Sequence, residues 1–247
     1  MSAILEINSI EKTFSQNFKK SKVLNWVELV VNKWDVYWFL WPNWSWKTTT
    51  LKCILWFLKY DSWDVKIFWK SPIENQEVFK KIWYAPENTY FYDHLNWIEF
   101  LIFMWQLSWL SKQEAELNWL DLLEKLWLSF AKNKLVKSYS KWMRQRLWLA
   151  ASLVNDPELI FWDEPMSWLD PLWRIVVKDM MSSLKEKWKT LFFNTHILSD
   201  VQEIANRFWI IYNWHIIHED YTKNIDTSIE SIFKEKIYEN EKDLKIS

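Results

Sequence analysis

The chain counts 247 residues with 31 Lys plus Arg against 32 Asp plus Glu, a balance without the basic field that dominates nucleic-acid binding, so DNA or RNA is not an expected partner. This length holds one α/β core, with or without an inserted subdomain, and leaves little room for two independent domains. A single cysteine, Cys53, excludes an internal disulfide framework and a cysteine-rich metal site; it suits a reducing compartment, and its expected place is the core.

The N-terminal run MSAILEINSIEK has no basic region ahead of an apolar stretch, and no segment reaches the roughly 18 uninterrupted apolar residues of a membrane span. A cytosolic protein is therefore expected. Residues 1–40 alternate short apolar runs (Ile4, Leu5, Ile7; Val27, Leu29, Val31; Val36, Tyr37, Phe39) with polar breaks, which predicts strands and a hairpin. The last run leads into Trp41-Pro42-Asn43-Trp44-Ser45-Trp46-Lys47-Thr48-Thr49. From Thr48 to Lys59, Leu51, Ile54, Leu55 and Leu58 recur at helical spacing, so strand, loop and helix follow in the order that a phosphate-binding P-loop needs.

That loop has tryptophan wherever glycine is required. The chain contains no glycine and 23 tryptophans, where a protein of this length would carry roughly 17 glycines and only a few tryptophans. Reading each Trp as Gly restores an ordinary glycine content and turns the loop into GPNGSGKTT, so wholesale replacement of Gly by Trp in a natural parent is the simplest explanation.

Further along, the window Ile98 to Leu110 is the most apolar, too short to span a membrane but suited to a docking helix. Leu117, Leu120, Leu123 and Leu126 continue a helical pattern from about Asn96 to Asn133, predicting an inserted helical subdomain. Glu158-Leu159-Ile160-Phe161 before Asp163, and Lys189-Thr190-Leu191-Phe192-Phe193 before Asn194, read as short strands of a buried parallel sheet with polar residues at their carboxyl ends, where α/β sites assemble. Residues 222–247 are highly charged and read as a surface helix or frayed tail.

The chemistry follows from these positions. A P-loop aims consecutive backbone N–H groups at phosphate from a helix N-terminus, and Lys47 would add a mobile positive charge. Thr48 would place its hydroxyl on Mg²⁺, with Thr49 beside the phosphates. Asp163 and Glu164 end an apolar strand as adjacent carboxylates, the Walker B arrangement, in which Asp163 would hold the Mg²⁺ shell and Glu164 would polarise the attacking water.

With these motifs the chain resembles the ATP-binding subunit of ABC transporters over roughly residues 3–220. Tyr139-Ser140-Lys141-Trp142-Met143 matches a variant of the family's signature segment, Met166-Ser167-Trp168-Leu169-Asp170-Pro171 its D-loop, and Asn194-Thr195-His196 its switch-histidine motif. The resemblance implies an α/β fold: a P-loop NTPase core with a parallel sheet, an N-terminal antiparallel β part and a helical subdomain at about 90–155, in a domain of residues 1–220 followed by a charged tail of 221–247. It implies ATP and Mg²⁺ as cofactors and a second ATP-binding subunit, as a homodimer, closing head to tail. Ser140, with the backbone of Trp142, would face the γ-phosphate held by the opposite subunit, Asp170 would communicate across the dimer, and His196 would sense that phosphate. A separate transmembrane permease and a place on the inner face of the cell membrane are implied as well. Glu87 stands where the family usually has a glutamine, and together with Tyr139-Ser140-Lys141 this leans toward an exporter-like branch. Phe14 fits the adenine-stacking aromatic, ahead of Phe18, with a core position as its competing reading. His94, His215 and His218 read as surface or loop residues.

Tryptophan offers neither the φ > 0 of glycine nor room for phosphate against the backbone. The chain taken literally is therefore expected to bind ATP poorly, and a catalytically dead ATPase-derived scaffold or permease-binding protein is the alternative. A tryptophan-rich sugar or aromatic-ligand binder finds no support, because the tryptophans follow motif positions rather than one face of an element.

Overall fold

The N-terminal alternation folds into two long antiparallel strands, β1 (Ala3–Gln16) and β2 (Lys19–Asn32), with β4 (Ser62–Ile67) on the far side of β1. Ile7 lies opposite Leu29 on one side and Val65 on the other, and all three are buried. In a computed structural model, residues 2–16, 19–40, 44–59, 61–87, 90–107, 128–131, 134–167, 169–213 and 215–246 are described. The expected helical leucines at 117–126 and Phe18 lie outside the described residues.

A second sheet runs in the order β5 (Ile82–Ala85), β6 (Leu159–Asp163), β7 (Thr190–Asn194), β3 (Val36–Leu40), β8 (Arg207–Tyr212), β9 (His215–Tyr221). All neighbours are parallel except β8 and β9. Every residue of β3, β6 and β7 is buried, as expected for strands covered on both faces. Successive residues divide between two cores because side chains alternate across a sheet. Tyr37, Phe39, Phe161 and Phe192 face α1 (Trp44–Ile54) and the antiparallel sheet; Trp38, Ile160, Trp162, Leu191 and Phe193 face the other way.

That second core is covered by α3 (Lys141–Ala151), α4 (Pro171–Glu186), α5 (Leu198–Ile204) and α6 (Ile229–Ile246). The charged C-terminal segment is thus a helix whose Ile229, Ile232, Phe233 and Ile237 pack on the core. A third cluster joins α2 (Trp97–Gln106) to α3 through Phe100, Leu101, Met143, Leu147 and Ala151. The apolar window expected as a docking helix is α2 in its described part, and it turns Trp97, Phe100 and Leu101 inward instead; a capping box between Asn96 and Glu99 starts it. Cys53 is buried in the first core, and burial pushes its thiol up to about 11. His94 is exposed in a turn, whereas His215 and His218 lie on strand β9 rather than in a loop, His218 half-buried with its ring 5.4 Å from Phe208.

The backbone singles out several tryptophans independently of any motif. Five of the ten described residues at positive φ are tryptophans, at positions 26, 34, 56, 69 and 188. Trp56, at φ 63°, follows α1, and the N–H groups of Trp56 and Phe57 return to the carbonyls of Cys53 and Lys52. Trp188, at φ 59°, ends α4 in the same way, with Trp188 and Lys189 returning to Lys185 and Leu184. Both are Schellman closures, whose left-handed residue is usually glycine. Phe68 and Trp69, at φ 51° and 63°, form a two-residue turn closed by Ile67 and Lys70, a turn that normally takes Asn-Gly. Among the described residues, the buried indole N–H groups of Trp83, Trp97, Trp148 and Trp209 find no hydrogen-bond partner.

Candidate nucleotide site

The strand order brings β3, which ends just ahead of residues 41–43, next to β7 and one strand from β6. Lys47 and Thr48 in α1 therefore face the carboxyl ends of β6 and β7. Lys47 is buried and its Nζ donates to Glu164 Oε1 at 3.1 Å. The Thr48 hydroxyl donates to Asp163 Oδ2 at 3.2 Å. Glu164, 1% exposed, adopts φ 51° directly after the strand. Its Oε2 accepts from the Ser167 hydroxyl at 3.2 Å and lies 3.0 Å from Nδ1 of the exposed His196. The Asn194 amide donates to Asp163 Oδ1 at 2.7 Å and accepts the Glu164 backbone N–H at 2.8 Å. From β5, the Tyr84 hydroxyl reaches Asp163 Oδ2 at 3.5 Å.

Charge in this group is poorly solvated. Burial pushes the Asp163 carboxyl above its ordinary range, the Asn194 amide, Lys47 and Thr48 pull it back, and Glu164 pushes it further up. Half-buried Glu87, just past β5, is raised by burial and then by Asp163 and Glu164, against Lys47 and His196, so it shares their field. Burial, followed by Asp163, also raises the Tyr84 hydroxyl. A buried ion pair such as Lys47–Glu164 adds little to stability, since desolvation offsets the attraction. Titratable groups held this way are a mark of functional sites.

Lys47, Thr48, Asp163, Glu164, Glu87 and His196 thus come together, and Thr49 follows half-buried on α1. Trp41, Pro42, Asn43 and Trp168 lie outside the described residues, as do the side chains of Trp44, Ser45 and Trp46. Phe14 is no core residue: it is 39% exposed on β1, with the Lys12 ammonium 5.3 Å from its ring. Ser140 and Asp170 each cap a helix, accepting from the N–H of Met143 at 3.3 Å and of Trp173 at 3.1 Å. The Arg146 guanidinium carbon lies 4.0 Å from the Trp142 ring centre and 2.8 Å from that of Trp173. Sequence reasoning missed Tyr84, Ser167 and Asn194 as members of the group. Ser167 and Asn194 carried a signal, as members of the segments that resemble the D-loop and the switch-histidine motif, and Asn194 also as the polar residue closing an apolar strand.

The donor set suits a hard divalent cation. Thr48 and Asp163 offer paired oxygens, and among the described residues no cluster of three His, Cys, Asp or Glu forms a metal cage. A cation here would complete its shell with water and phosphate oxygens, as Mg²⁺ does in nucleotide sites.

A parallel sheet with a lysine-bearing helix N-terminus facing two strand-end carboxylates defines a P-loop nucleotide-binding core. The family model described as ABC transporter matches residues 24–167, more than half of the chain. An uncharacterized ABC transporter ATP-binding protein of Synechocystis is 39% identical over 208 residues, 83% of this chain and 58% of that protein. The bacitracin transport ATP-binding protein of Bacillus licheniformis is 30% identical over 222 residues, 89% of this chain and 70% of that protein. Among solved structures, an ATP-binding subunit of an ABC transporter superposes with a TM-score of 0.86 at 23% identity, over 95% of this chain and 99% of the other. A dimeric ATP-binding cassette bound to ADP and Pi superposes at 0.79 and 20% identity, over 88% and 98%. The chain belongs to the ABC transporter ATP-binding family. It spans 58% and 64% of the length of its Synechocystis and Nostoc relatives.

Proposed function

We propose that this polypeptide, with glycine at its tryptophan positions, is the ATP-hydrolysing subunit that drives an ABC transporter. The observation that carries the reading is the group of buried Lys47, Asp163 and Glu164 with half-buried Thr48 and exposed His196 at the carboxyl ends of β6 and β7. Bound Mg-ATP supplies the γ-phosphoryl group and a cation that neutralises charge on its oxygens. Lys47 Nζ exchanges Glu164 Oε1 for phosphate oxygens, which leaves the Glu164 carboxylate to orient a water and take its proton. Thr48 and Asp163 would hold the cation, with Glu87 in the same field, and His196, now 3.0 Å from Glu164 Oε2, would turn to the γ-phosphate. Thr49 and the loop of Trp41, Pro42, Asn43, Trp44, Ser45 and Trp46 wrap the phosphates, and Phe14, exposed on its strand, stacks on adenine.

Ser140, Trp142 and Asp170 lie at helix N-termini and serve a second copy of the chain, in a homodimer seated on a separate permease at the inner membrane face. Among relatives, proteins of bacitracin transport and fluoroquinolone export support an exporter. In the described residues no helix is long and apolar enough to cross a membrane.

Glycine at the tryptophan positions is supported by the left-handed Trp56 and Trp188 in helix closures and by Trp69 in its tight turn. A codon that means glycine in the native cell but is read as tryptophan would produce such an exchange throughout, and the intact mass of the natural protein tests it. The second reading, an inactive scaffold, applies to the chain with its indoles in place. Mg-ATP binding and hydrolysis are to be measured for this chain beside a version with Trp41, Trp44, Trp46, Trp142 and Trp168 returned to Gly. Turnover by the reverted chain alone supports the proposal. Turnover by both removes the steric argument, and a folded but inert reverted chain overturns the ATPase reading.

A further inference from the structure

We propose that Asn194, the last residue of β7, is a positioning residue that sets both carboxylates of the Asp163–Glu164 pair at once; this rests on the ATPase reading above. Asp163 and Asn194 are paired across the neighbouring strands β6 and β7, so the amide reaches the end of β6 directly. It is 1% exposed and makes two short bonds, 2.7 Å to Asp163 Oδ1 and 2.8 Å from the Glu164 N–H. Its orientation is dictated by chemistry. A carboxylate only accepts and a backbone N–H only donates, so the amide nitrogen must face Asp163 and its oxygen Glu164.

Each bond has a separate consequence. Occupying Asp163 Oδ1 turns Oδ2 toward the Thr48 hydroxyl, the pair placed to hold the cation. Accepting the Glu164 N–H anchors the backbone where it leaves the strand at φ 51°, a left-handed conformation sparsely populated by residues other than glycine. That backbone carries the carboxylate shared by Lys47, Ser167 and His196. One side chain therefore couples the aim of the cation ligand to the aim of the base. An aspartate there could still accept from Glu164 but would set a second carboxylate against Asp163. A serine could replace the donor and acceptor only over a shorter reach, and an alanine replaces neither.

The test uses the glycine-restored chain and its Asn194→Ala, Asn194→Ser and Asn194→Asp variants. A fluorescent ATP analogue is titrated with Mg²⁺ and with EDTA, alongside kcat, KM and the unfolding midpoint. Expected for Asn194→Ala is a loss of about 10- to 100-fold in kcat and in the affinity gained from Mg²⁺, the usual cost of removing a partner of a metal ligand. Binding in EDTA should stay within about threefold, and Asn194→Ser should recover part of the loss. If Asn194→Ala does not fold, Asn194→Ser and Asn194→Asp carry the same expectation of a reduced Mg²⁺ gain. Folded variants that keep kcat and the Mg²⁺ gain within about twofold overturn the proposal, as does an equal loss with and without Mg²⁺, which is the mark of a structural role. Should the parent itself bind no Mg-ATP, the ATPase reading fails and takes this one with it; a binding parent with indifferent variants overturns only the role of Asn194.

Discussion

At the scale of single residues, the site depends on charges that would be unfavourable without one another. Lys47 and Glu164 are buried as a pair, with Asp163 beside them. Glu164→Gln in the glycine-restored chain keeps the shape and the hydrogen-bond acceptor for Lys47 but removes the base. Phosphate release should fall by about 10²- to 10⁴-fold, the range for loss of a general base, with ATP affinity held within about threefold. Lys47→Ala leaves Glu164 buried without its cation, so ATP affinity and stability should fall together, the latter by about 3–5 kcal/mol. Urea unfolding beside equilibrium dialysis distinguishes the two variants.

Among the secondary-structure elements, two helix ends show what the tryptophans cost. A left-handed conformation disfavours a residue with a Cβ by about 1–2 kcal/mol. Trp56→Gly at the end of α1 and Trp188→Gly at the end of α4 should each stabilise the chain by about that amount, read as higher urea midpoints with an unchanged slope. Trp188→Gly has the second consequence that the Trp34 ring, 5.3 Å from that of Trp188, loses a partner. That contact is exposed on both sides, so it subtracts only a little from the gain.

For the whole molecule, Cys53 reports whether the core has formed. It lies on α1, in the core that this helix shares with the antiparallel sheet, and its thiol is pushed up to about 11. A thiolate-specific reagent at pH 8 should react slowly with the folded chain and at the rate of a free thiol in urea; fast reaction without denaturant would mean that the indoles prevent folding. The folded thiol holds its proton more tightly than the unfolded one. Stability from this group is therefore whole below the ordinary thiol range and falls as pH rises toward about 11, which thermal melts at alkaline pH can follow.

The motifs and much of the strand pattern were legible in the sequence, because phosphate chemistry needs Lys47-Thr48 at a helix start and Asp163-Glu164 at a strand end. The sequence also exposed the glycine–tryptophan exchange, since composition and motif spacing are properties of one dimension. Tertiary structure decided what depends on strand order. Placing β7 between β6 and β3 brought Asn194 onto Asp163 and Glu164, and β5 on the outer side of β6 brought Tyr84 to the same carboxylate. Neither partnership leaves a periodic trace, because each joins residues remote in sequence through a sheet register. The inward turn of α2 and the packing of Ile229, Ile232, Phe233 and Ile237 in the charged terminal segment were likewise settled by neighbours. An apolar stripe shows that a face will be buried, and only the fold supplies what it is buried against.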